Sequence, residues 1–113
     1  MLSKGEKVFV ITRRLFEKDL RRHFVGEVQE VSGGAIRVQG YSFVFDEANN
    51  EFVRRNDSRI RIFSVIDATL MINVLHREVV LEDIRYLIDK NNHLILTDDK
   101  FFKMDVNEFG VYR

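Results

Sequence analysis

The chain has 113 residues, with 18 Lys and Arg against 18 Asp and Glu, 45% apolar residues, ten Phe, and no Cys, Pro or Trp. That length suits one domain with its own core, and the apolar content is too high for a disordered tail. Without cysteine there is no disulfide scaffold, no Cys-based zinc site and no thiol catalysis.

Taken in chain order, hydrophobic periodicity predicts strands almost throughout. The opening residues Met1 to Glu6 show no apolar signal region, so the expected compartment is the cytoplasm. Lys7 to Thr12 is a strand apolar on both faces and so expected to be covered on both. Arg13 to His23 is a basic connection, with Leu15, Phe16 and Leu20 spaced for a turn or two of helix. Phe24 to Val31 is a second strand, and Ser32-Gly33-Gly34 supplies the positive φ of a tight hairpin.

The third strand changes phase. Ile36 and Val38 share one parity, and after Gly40 the large residues are Tyr41, Phe43 and Phe45. Such a slip at a glycine predicts a β-bulge or a corner at position 40. A similar slip is expected after Ile60 and Ile62, where Phe63 and Val65 take over. Bent strands in so short a chain predict a small, strongly curved barrel.

Asp46 to Asn50 is a turn, Glu51 to Arg55 a short strand, and Asn56-Asp57-Ser58 a turn that also matches the glycosylation sequon. Leu70 to Leu75 is a continuous apolar run, expected to be a central strand. Beyond a helical turn at Leu81-Glu82-Asp83, alternation at 84–88, 94–96 and 102–106 predicts a C-terminal β-meander. A rival reading makes Val80 to Lys90 one amphipathic helix. The whole reads as an all-β single domain spanning 1–113, with a barrel core over about 5–76 and the meander over about 79–113.

The stretch from Phe24 through Gly26, Val28, Gly33 and Gly34 to Val38 resembles the hairpin of Sm-like and SH3-like small barrels. The resemblance implies that architecture, and with it edge-to-edge ring or dimer assembly. It does not extend to the Sm family's RNA-contacting residues. Ala35-Ile36-Arg37-Val38-Gln39 stands where Asp-x-x-hydrophobic-Asn is needed, and Arg59-Ile60-Arg61-Ile62 lacks the Arg-Gly pair.

Charge is balanced overall but not along the chain. Residues 1–61 carry 12 basic and 9 acidic side chains, and residues 62–113 carry 6 and 9. This asymmetry permits a charge-paired homo-oligomer, and weak RNA binding without the positive excess of a dedicated duplex binder. The candidate partner-binding or nucleic-acid residues are Arg13, Arg14, Lys18, Arg21, Arg22, Arg54 and Arg55, with Phe16 and Phe24 as stacking platforms.

His23, His76 and His93 are far apart and are expected on the surface, no nucleophile elbow or phosphate loop occurs, and Asp98-Asp99 and Glu82-Asp83 suit local hydrogen bonding. No catalytic residue, metal site or cofactor is therefore assigned, and no segment is long enough to cross a membrane. The expected function is a non-enzymatic module that works by self-assembly and binding. The alternatives are an RNA or single-strand binder, and a small-ligand or hydrolytic protein of unknown class.

Overall fold

The computed structural model describes residues 2–12, 22–46, 48–49, 51–66 and 69–106. They are all-β, with antiparallel sheets and one 3-10 turn, and the chain divides into two compact units, Met1–Leu75 and His76–Arg113.

The first unit holds β1 (Lys7–Thr12), β2 (Arg22–Ser32), β3 (Ala35–Asp46), β4 (Glu51–Arg54), β5 (Arg59–Ser64) and β6 (Leu70–Val74). They form one sheet in the order β4-β3-β2-β1-β6, while β5 pairs with the first half of β3. β1 is central, and Val8, Phe9 and Val10 are completely buried, so both its faces are covered as their apolar character requires. Gly33, at φ 58°, turns the β2–β3 hairpin in a conformation only glycine adopts freely.

One face of the sheet carries the cluster Val8, Val10, Phe24, Val28, Ile36 and Val38. Phe63 from β5 and Leu70 and Ile72 from β6 pack against the same cluster, although these strands lie at opposite ends of the sheet. A flat sheet does not allow this. Phe24 pairs with Ser42, and Phe63 pairs with Ile36. Those rows are six residues apart along β3, roughly 20 Å at about 3.3 Å per residue. Yet the two rings lie 5.6 Å apart between centroids. The sheet therefore folds sharply between them.

The fold line is the directly opposed pair Gly26 and Gly40. A Cβ built on Gly40 would fall 2.5 Å from the Gly26 Cα and closer still to the Val25 carbonyl oxygen. One on Gly26 would fall 2.5 Å from the Gln39 carbonyl oxygen. Only two glycines let the backbones approach this closely on the inner side of a bend. At the same place β3 changes partner, pairing with β5 up to Gly40 and with β4 from Phe43.

This corrects the expected bulge. The β2–β3 register runs unbroken through Gly40, and its one shift lies between Val28 and Glu30, around Gln29. The apparent phase change arises because β3 buries Ile36 and Val38 on one face, then Phe43 on the other. No slip occurs in β5 either. Ile60 and Ile62 are exposed, while Phe63 reaches the core cluster. The run Leu70 to Leu75 is likewise not central. β6 pairs only with β1 among the described strands and leaves Met71 and Val74 exposed.

In the second unit a 3-10 turn (Leu81–Asp83) precedes β7 (Arg85–Ile88), β8 (Leu94–Thr97) and β9 (Lys103–Asp105), an antiparallel meander in the order β7-β8-β9. The rival long helix over 80–90 is thus replaced by one tight turn and a strand. Central β8 is buried at every residue, together with Val79 and Ile84. Asn92 and Asp99 turn the two hairpins at φ 62° and 69°, which these residue types tolerate best after glycine.

Gly40→Ala is expected to cost about 3 kcal/mol or more in urea unfolding, since the clash is with backbone that cannot move aside cheaply. Gly34→Ala, whose Cβ would meet only the Ile66 side chain at 3.6 Å, is expected to change stability by no more than about 0.5 kcal/mol.

Candidate interaction surface

Of the basic residues singled out from the sequence, Arg13, Arg14, Lys18 and Arg21 lie outside the described residues, as does Phe16. Arg22 is not in a loop but opens β2, opposite Thr12 and Val44. Arg54 ends β4, opposite Phe43, with its guanidinium 5.2 Å from the Tyr41 ring centroid. Arg55 follows, its backbone N–H bonded to the Ser42 carbonyl. Neighbours across an antiparallel pair share a face, and successive residues alternate. Arg54 therefore shares a face with Phe43 and His23, and Arg22 points to the other. Phe24, the second proposed stacking platform, is buried in the core.

His23 is not a surface residue. It is buried between the Phe9 ring, edge-on at 5.3 Å, and the Phe52 ring, stacked at 4.5 Å. Its position after a run of charges conceals this, and only its pairing with Phe43 would have revealed it.

The most unusual surface lies along β5. Among the described residues β5 has a neighbour on one side only, so its outer edge presents unpaired backbone groups. Beside that edge Ile60 and Ile62 are 60% and 65% exposed, side by side on one face, with Ile66 more exposed still. On the opposite face of β5 Arg59 is held by Asp57 at 2.8 Å, whereas Arg61 has no carboxylate partner among the described residues. The Arg61 guanidinium lies 5.9 Å from the Phe24 ring centroid, and its Nε is buried without a hydrogen bond. A buried donor left unpaired is costly, about 1–3 kcal/mol. β6 offers a second one-sided edge, flanked by exposed Met71 and Val74. Alternating Ile and Arg in β5 reads in sequence as an ordinary half-buried strand. That no other described strand covers its far side is a property of topology, which periodicity cannot report.

The titratable groups of the meander form local ties. Asp98 is buried, and its Oδ1 accepts the backbone N–H groups of Lys100, Phe101 and Phe102 at 2.9, 2.8 and 3.2 Å. Burial pushes its pKa up, but those three hydrogen bonds outweigh it and hold the carboxyl below its ordinary range. Thr97 Oγ1 donates to the Phe102 carbonyl and accepts the Asp99 N–H, closing the same turn. His93 Nδ1 pairs with Asp105 Oδ2 at 2.5 Å, joining the β7–β8 turn to β9. That hydrogen bond outweighs desolvation and, with the charges of Asp105 and Asp89, raises the His93 pKa. Arg85 is paired with Asp99, and among the described residues no three His, Asp or Glu side chains gather as a metal site would require.

No family model, curated protein or solved structure matches this chain.

Two outcomes follow from the meander. Because the folded state raises the His93 pKa, its contribution is complete below about 6.5 and fades as pH rises through the higher folded value. A urea midpoint that declines over that interval, and no longer does so in His93→Gln, is the expected result. Asp98→Ala is expected to lose about 1–3 kcal/mol by removing the acceptor of three backbone donors.

Proposed function

We propose that this protein is a non-enzymatic binding module that assembles with copies of itself through the free edges of its first sheet. The observation that carries the reading is the outer edge of β5, unpaired among the described strands and flanked by exposed Ile60 and Ile62. Monomeric proteins usually blunt such an edge with charge, proline or a covering loop, because it is a template for a further strand. Large aliphatic side chains beside it favour burial on association, each about 1.5–3 kcal/mol if fully covered.

The same reading takes the first unit to be a curled small barrel of the SH3-like or Sm-like kind, open between β5 and β6. Its support is the curl itself, with both end strands packed on one cluster across the Gly26–Gly40 fold line. RNA binding through Arg22 and Arg54 has less support, since those two guanidinium groups stand on opposite faces of the sheet.

Size-exclusion chromatography with light scattering is the test. Wild type is expected to elute as an oligomer at tens of micromolar. Ile62→Lys, at a position already exposed, is expected to elute as a monomer with its melting temperature nearly unchanged. A wild-type monomer at that concentration would overturn the proposal.

A further inference from the structure

β5 presents two chemically different faces beside the edge that no described strand covers. Ile60 and Ile62 stand on one, and Arg61 stands between them on the other. Any strand added to this edge would continue the alternation, placing its own side chains next to these three in turn. Next to Ile60 and Ile62 an aliphatic side chain covers exposed apolar surface. Next to Arg61 the requirement is different. Its guanidinium is half-buried, rests on the Phe24 ring, has an Nε without any partner, and meets no carboxylate among the described residues. Arg59, one position along the same face, is already held by Asp57, so Arg61 is the cation left to be matched. A lysine or arginine beside it would add repulsion, an aliphatic residue would deepen the burial of an unpaired charge, and a carboxylate would supply acceptors.

We infer that the edge of β5 selects an extended segment of another chain in which an acidic residue lies between two aliphatic ones, the carboxylate pairing with Arg61 and the aliphatics covering Ile60 and Ile62. This rests on the reading of β5 as a docking edge and adds what the docked strand must carry. β6 itself, Leu70-Met71-Ile72-Asn73-Val74, has no acidic residue. A copy's β6 can cover Ile60 and Ile62 but leaves Arg61 unmatched, so it ranks below a strand that carries the carboxylate. Recognition divides as in other strand additions. Main-chain hydrogen bonds supply sequence-independent affinity, and alternate side chains supply the choice.

The probes are two soluble synthetic strands, one with aspartate flanked by valines and its twin with lysine in place of the aspartate. Each is titrated into the 15N-labelled full chain while the amides of Arg59 to Ser64 are followed. The aspartate strand is expected to shift these amides and to bind several-fold tighter than the lysine strand, up to about ten-fold. Arg61→Glu is expected to reverse the order. Equal binding of the two strands, or a preference unchanged in Arg61→Glu, would overturn this inference while leaving edge docking intact. If the β5 amides respond to neither strand in a wild-type protein that is also monomeric, both readings fall together. Should Arg61→Glu not fold, Arg61→Gln serves. It is expected to erase the preference, and a preference retained there counts against the role of Arg61.

Discussion

Two glycines facing each other across β2 and β3 set the shape of the first unit. Gly26 and Gly40 bring the two backbones so close that neither position has room for a single methyl group. Because the crowding is on the side toward which the sheet folds, the core residues of that side converge. Phe24 meets Phe63, Arg61 lies over Phe24, and the cluster gathers side chains from both end strands. Burial of these aliphatic and aromatic groups stabilises the curl, but the glycines make it sterically possible. The curl has a consequence at the rim. It turns Arg61 inward over an aromatic ring and leaves Ile60 and Ile62 outside.

Much of the fold was legible in the sequence, and the reasons are specific. β1 has the bounds its sequence implies because Val8 to Thr12 is an uninterrupted β-branched and aromatic run. The hairpin at Gly33 and the strands of the meander followed from turn residues between alternating segments. Of the two devices expected at position 40, a bulge or a corner, the corner is the one found. The large residues do change sides there, yet the register does not slip, because both faces of β3 are buried in different halves. Parity alone cannot separate a bulge from a strand that is buried first on one face and then on the other.

The candidate surface was less legible. Exposure of Ile60 and Ile62 depends on which strands flank β5, and Leu70 to Leu75 looked central because continuous apolarity usually means burial on both faces. His23 was hidden in the same way, since its neighbours in sequence are charged and its neighbours in space are Phe9 and Phe52. Charge density draws attention to the basic connection after β1, whereas Arg61, whose Nε is buried without a hydrogen bond, sits in a strand with no unusual composition.

The corner is tested most directly by ring-proton nuclear Overhauser effects in the native protein. If β2 and β3 fold at Gly26 and Gly40, the aromatic protons of Phe24 and Phe63 give strong cross-peaks, although their strands are not adjacent and their rows lie six residues apart on β3. Cross-peaks that connect Phe24 only to its flat-sheet neighbours, with the β2–β3 pairing intact, would contradict the fold line and the surface derived from it.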